Sequence, residues 1–321
     1  VDRVELADFE TAFDPLVAKH ASALGIDPLC STSRWARAAA TAFAPDAQPR
    51  VYRLTAGMVA LLEHDSPRGQ ILTGFDTLWG FSSPLIGPDA DALVAELTGE
   101  VLPTIAHHAL AVAGVPVKGA LMDALVRQGP AGFTGTADRC VADLSGGFDA
   151  WLGRRSSRFR RSLRVAASSA NAHGLTIELL RPSGAAQSDE TFARILELER
   201  RSWKTSAGSG LVGTDLGAFT RDMAQRFSID DGLRVGFAHL DGADVGYVIG
   251  GIVDTRYRGF QHSFDQRHSD KSIGKFLQWH NIAALCDEGI ASYDMGMHMA
   301  YKDSYIDRIE STTTVILANR A

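Results

Sequence analysis

The sequence predicts an α/β protein built from two domains, and three observations carry that expectation. Strand-like and helix-like segments alternate along the whole chain instead of segregating to one end. The 321 residues amount to roughly two domains of ~150 residues, each with room for a buried core. The chain also changes character around Ser145: residues 1–150 hold 10 Lys and Arg against 18 Asp and Glu, and the remainder holds 22 against 20. Anion-binding chemistry therefore belongs in the second half.

Composition removes other classes. An apolar share of 45%, with tryptophans spread from Trp35 to Trp279, excludes disorder as the main state. Cys30, Cys140 and Cys286 are odd in number and far apart, which suits a reducing compartment and matches neither a disulfide framework nor a metal knuckle. No run approaches ~18 continuous apolar residues, and the first residues, VDRVELADFE, are acidic. A cytoplasmic protein without a membrane span is expected. A net charge of −6 argues against DNA as a partner.

Taken in order, apolar periodicity predicts helices over 9–24 and 33–43, with Ser33 as N-cap. Strands follow at VYRLT, GMVALLEHD and ILTGFDTLWGFSS. A helical pattern covers 89–109 with a break at Pro103, and then ALAVAGVPV reads as a strand, KGALMDALVRQG as a helix and ADRCVADL as a strand. Residues 146–174 read as one long helix stopped by Gly174. It carries six arginines in the eleven residues 154–164, with Arg154, Arg158 and Arg161 on one face. That face reads first as a solvated connecting helix and second as a contact for the phosphates of a polyanionic substrate.

In the second half, LTIELLRP is a strand, and 189–205 and 215–227 are helices. GLRVGFAHL and ADVGYVIGGIV form a hairpin on the turn Asp241-Gly242, which YRGFQHSFDQ continues as a meander. The polar loop HSDKSIGK leads into the helix KFLQWHNIAALCDEG. A short strand ASYDMG, a short helix YKDSYID and a last strand STTTVILAN complete the chain. Lys271, Ser272, Ile273, Gly274 and Lys275 thus stand where a helix opens after a strand. Unpaired N–H groups there suit an anion such as a phosphate, or form an ordinary Ser-capped helix start.

This element order over 175–318 resembles the GNAT acyltransferase superfamily. The block SFDQRHSDKSIGKFLQWHNIAALCDEGIASYDMGMHMAYKDSY, with RSLRVAASSANAHGLTIELL and LELERRSWK, is similar to its CelD-like and FemAB-like branch. The resemblance implies two GNAT-like lobes, each a mixed, mostly antiparallel sheet flanked by helices. Residues 1–145 would form a degenerate N-terminal lobe, and 146–321 the acyltransferase lobe with the Arg-rich helix. It implies acyl transfer from acyl-CoA, or alternatively aminoacyl-tRNA, to an amine of a small molecule or peptide. A catalytically silent binding module is a further alternative. The loop at 271–275 has a single glycine where the common GNAT loop has two small residues.

Acyl transfer to an amine needs a proton acceptor, a polarised carbonyl and a proton for the leaving group. On the strand before the loop, His262 is the candidate base; alternation sends Gln261, Ser263 and Asp265 to the other face. Asp294, closing a short strand, is a candidate for holding or deprotonating the amine. Tyr301 and Tyr305 are candidate proton donors. Trp203, Asp265, His298 and Lys302 are candidate substrate contacts. No His/Cys/Asp/Glu pattern at metal-ligand spacing and no serine-hydrolase elbow is present, so no metal is expected.

Overall fold

The computed structural model describes residues 1–202, 204 and 208–319, with only the backbone of Asn171. Trp203, expected at the acceptor pocket, lies outside the described residues. In chain order the first elements are β1 (Asp2–Val4), α1 (Phe9–Leu24), α2 (Ser33–Phe43), β2 (Gln48–Arg53), β3 (Met58–His64), β4 (Ile71–Thr73) and β5 (Leu85–Ile86). Then come α3 (Ala90–Glu96), β6 (Ala109–Pro116), α4 (Ala120–Arg127), β7 (Gly132–Phe133) and β8 (Ala137–Asp143). The second half holds α5 (Gly147–Gly153), α6 (Ser157–Ala172), β9 (Thr176–Leu180), α7 (Gly184–Glu199) and α8 (Asp215–Phe227). It continues with β10 (Leu233–Leu240), β11 (Ala243–Val253), β12 (Arg256–Phe264), α9 (Ile273–Asp287), β13 (Ser292–Met297) and β14 (Arg308–Ala318). No helix among the described residues is long and apolar enough to cross a membrane.

The chain divides into two units, Val1–Asp138 with Glu310–Ala321, and Arg139–Ile309. In the first, the sheet order is β1-β2-β3-β4-β6-β14. Every neighbour pair with a resolved register is antiparallel except β4 and β6. In the second it is β8-β13-β12-β11-β10-β9, again antiparallel except for β12 and β13. Each unit is thus a four-stranded antiparallel meander, a fifth strand parallel to the fourth, and an antiparallel sixth. The sixth strand of each comes from the other half of the chain. This departs from the expected boundary at 145: β8 from Arg139 onward belongs with the second unit, and β14 from Glu310 onward with the first.

Burial explains the elements. Phe9, Phe13, Val17, Ala21 and Leu24 line the inward face of α1, and Gly25, with φ +70°, closes it. Asp241 and Gly242, with φ +51° and +78°, make the tight hairpin between β10 and β11. The expected cap differs at α2, where Thr32 is the N-cap. Ser33 N–H and Oγ instead donate to the Asp14 carboxylate, at 2.7 and 2.8 Å.

The single helix expected over 146–174 is two. Arg154 and Arg155 turn aside to the Asp307 carboxylate, and Ser156 Oγ accepts from Phe159 N–H at 3.2 Å as α6 opens. Arg154 therefore does not share a helical face with Arg158 and Arg161. In the second unit Ile273, Phe276 and Leu277 of α9 pack on Val245 and Val248 of β11. A Cβ on Gly246 would come within 2.5 Å of Ile273 Cγ2, so a glycine on β11 is what lets the start of α9 lie close to the sheet.

The strand exchange has a measurable consequence. Deleting residues 310–321 removes the buried Val315 and Leu317 from the first unit's core and should cost about 3–6 kcal/mol at ~1.5–3 per side chain. Denaturant unfolding of the truncated chain checks this, and an unchanged midpoint would contradict the exchange.

Candidate active site

Three parallel register pairs join β12 to β13: Arg256 with Ser292, Tyr257 with Tyr293, and Arg258 with Asp294. Beyond them the strands part. A bulge on β12, where Gln261 faces Ile249 and Gly259 faces Gly250, bends that strand. On β13 a register shift against β8 follows Asp294, and Gly296, with φ +78°, makes the turn.

Asp294 sits at the point of parting. Its Oδ2 accepts from Arg258 Nη1 at 2.5 Å and Arg139 Nη1 at 2.7 Å, and its Oδ1 accepts from Gly296 N–H at 2.7 Å. All three side chains are buried. One carboxylate thereby joins β8, β12 and β13. Expected as a group that handles the amine or its proton, it is engaged instead with protein donors.

Past that tie the freed edges carry two lysines. Lys302, in the 3₁₀ turn Ala300–Ser304, donates from Nζ to Met295 O at 2.8 Å and Met297 O at 2.6 Å. Burial lowers its pKa to about 8, aided by Arg258 and Lys204 and opposed by Cys140 and Asp294. Lys204 donates to Gln261 Oε1 at 2.6 Å and His262 O at 2.7 Å on β12. Burial lowers its pKa as well, against the pull of Glu199.

His262 lies among these groups, half-buried. Burial, and then the charges of Lys204 and Lys302, push its pKa down to about 3, so the imidazole stays neutral at physiological pH. Its ring stands 6.2 Å from that of Tyr301. A Cβ on Gly274 would lie 3.9 Å from His262 Nε2, so the ring looks onto the first turn of α9. There Ser272, with φ +55°, receives the Lys275 and Phe276 N–H groups on its carbonyl at 3.0 and 3.1 Å. The N–H groups of Ile273 and Gly274 find no backbone acceptor among the described residues. Lys271 is half-buried, and Lys275 is exposed.

His262, Gly274, Tyr301 and Lys302 thus come together, and other expected residues do not join them. Tyr305 is a core residue: it is buried, edge-on to Phe159 at 4.7 Å, and its carbonyl accepts from Trp151 Nε1 at 3.0 Å. Asp265 is fully buried and meets Arg201 Nε at 3.1 Å and Arg267 Nη2 at 2.6 Å. The Arg267 bonds hold its pKa at about 2. His298 Nε2 bonds Asp303 Oδ1 at 2.7 Å. Arg154 is bound to Asp307 at 2.8 Å, whereas Arg158 and Arg161 are exposed on α6. Among the described residues no group of three or more His, Cys, Asp or Glu could hold a metal ion.

Arg139 and Arg258 were not among the expected site residues. The signal for them was a charge inside otherwise apolar strand patterns, ADRCVADL and YRGF.

Residues 157–303 match the family model described as the acetyltransferase (GNAT) domain. No curated protein is a significant sequence match. Among solved structures, the chain is similar to FemX at 12% identity and a TM-score of 0.70, covering 98% of this chain and 97% of that one. It is similar to a conserved protein of unknown function from Bacteroides thetaiotaomicron VPI-5482 at 12% identity and a TM-score of 0.64, with 98% of each chain covered. It is also similar to the C-terminal domain of a putative lysylphosphatidylglycerol synthetase from Agrobacterium fabrum at 15% identity and a TM-score of 0.58, covering 95% and 92%. These likenesses establish a shared fold.

The Asp265 ion pairs predict an acid-sensitive loop. A carboxyl held at about 2, against about 3.9 unfolded, contributes about 3 kcal/mol above pH 4, lost as pH falls through 2. Unfolding of Asp265→Asn and the parent chain should differ by that amount at pH 7 and converge near pH 2. A pH-independent difference would contradict the assignment.

Proposed function

With residues 157–303 matching the GNAT domain model, we propose that the chain transfers an acyl group from an acyl-CoA thioester to the amine of a small-molecule or peptide acceptor. The observation that carries this reading is a neutral His262 facing the first turn of α9 between the buried Lys302 and the half-buried Lys204, at the gap where β12 and β13 part. A phosphate of the donor binds the Ile273 and Gly274 N–H groups, with Lys271 and Lys275 adding charge. The thioester carbonyl enters the gap between the strands.

The neutral amine attacks the carbonyl carbon, the C–S bond breaks, and an amide and free CoA thiol leave. His262, reluctant to take charge, accepts a hydrogen bond from the amine and orients it; the displaced proton passes to water. Lys302 uses two of its three N–H donors on Met295 and Met297 carbonyls, and the third stabilises negative charge developing on the carbonyl oxygen. Tyr301, whose phenol is kept protonated by a pKa of about 12, donates to the departing sulfur and regains a proton from the water that took the amine's. Asp294 and Tyr305 have no chemical step in this scheme.

A second reading, an aminoacyl-tRNA donor, draws on the FemX likeness over nearly the whole chain and on the exposed Arg158 and Arg161 of α6. That helix packs beside the 266–271 segment. It predicts steep salt dependence and ribonuclease sensitivity.

The test is release of free thiol on incubation with acetyl-CoA and a panel of amines. Lys302→Met should lower turnover by about 100-fold or more and His262→Ala by about 10- to 100-fold, with ribonuclease having no effect. Near-parental rates in both variants overturn the assignment, and no thiol release with acetyl-CoA overturns the donor.

A further inference from the structure

We propose that Glu199 is a positioning residue: its buried carboxylate ties both ends of the 200–211 segment to the second unit's sheet and so sets the Lys204 ammonium against β12. The inference rests on the reading of this region as the acyl-transfer site. Glu199 ends α7 and is fully buried. On one side, Oε1 accepts from Tyr247 Oη of β11 at 2.6 Å. On the other, Oε2 accepts from Ser202 Oγ at 3.4 Å and from Leu211 N–H at 3.3 Å. The near and far ends of the segment are thereby anchored on one side chain.

Backbone contacts reinforce the same anchoring. Ser202 forms a bridge with Asp265, Gln266 N–H donates to Arg201 O at 3.2 Å, and Ser209 N–H donates to Lys204 O at 3.0 Å. Lys204, five residues past the carboxylate, then reaches Gln261 and the His262 carbonyl. The charged groups that face it are Glu199, which favours the ammonium, and Lys302 of the 300–304 turn, whose own ammonium Lys204 disfavours; His262 of β12 faces it as a neutral ring. An unpaired cation this deeply buried would lose its proton readily. A neighbouring carboxylate opposes that loss, so Glu199 supplies both the anchor and the counter-charge.

The test needs no substrate. The intact chain is labelled with trace acetic anhydride across pH, and acetylation of Lys204 relative to exposed Lys275 is read by peptide mass spectrometry. Glu199→Gln keeps the shape and removes the charge, and it should raise Lys204 labelling at pH 8 by about tenfold. Glu199→Asp, which restores the charge, should return labelling to within about threefold of the parent. A purely structural role would lower the melting temperature and leave the ratio unmoved, and a ratio unchanged in Glu199→Gln overturns the proposal. Should Glu199→Gln not fold, Glu199→Asp is read by amide exchange at Leu211: exchange faster by about tenfold supports the anchor, and unchanged exchange overturns it. A shifted ratio in a chain that releases no thiol leaves the Glu199 role standing and removes the acyl-CoA reading. An unshifted ratio in an active enzyme does the reverse.

Discussion

The Asp294 carboxylate and its two arginines are the constraint on which the geometry of the second unit turns. Arg139 from β8, Arg258 from β12 and Asp294 from β13 converge within 2.7 Å at the last register pair before the two parallel strands part. A parallel pair that separates inside a sheet exposes backbone groups that the ladder no longer satisfies. The ion pairs lock the strands where separation begins, and the polar groups released beyond them become anchor points. Met295 and Met297 carbonyls receive Lys302, and the His262 carbonyl receives Lys204. Removing one partner of such a cluster leaves charge buried without compensation, which costs more than the cluster contributes when intact.

From that lock the chemistry follows by burial. Two ammonium groups brought into low dielectric lose part of their affinity for protons, and burial, with their charges second, strips the neighbouring imidazole of its basicity. The result is a gap lined by hydrogen-bond donors and one neutral acceptor, next to the open first turn of a helix. Gly246 contributes from a distance, because any side chain there would push Ile273 and the start of α9 off the sheet.

Local signals in the sequence reported local structure well. The Asp241-Gly242 hairpin, the helix beginning at Ile273 after a polar loop, and the strand that leads to His262 all follow from periodicity and turn chemistry over a few residues. Gly274, Tyr301 and Lys302 lie in the 263–305 block that carries the resemblance, and His262 was read from its place on the strand that leads into it. What was hidden depends on partners far away in the chain. The break between α5 and α6 is made by Asp307, about 150 residues from the arginines that reach it. The role of Asp294 depends on Arg139, 155 positions earlier, and the exchange of β8 and β14 depends on sheet pairing that no window of sequence contains. Tyr305 looked like a partner of Tyr301 at helical spacing, yet burial against Trp151 and Phe159 makes it core.

The most direct measurement is the unfolding free energy of Asp294→Asn at neutral pH. If this carboxylate holds β8, β12 and β13 together, its loss should cost about 3–5 kcal/mol, because two buried guanidinium groups lose the counter-charge they share across three strands. A cost below about 1 kcal/mol, within the range of an exposed ion pair, would contradict the account.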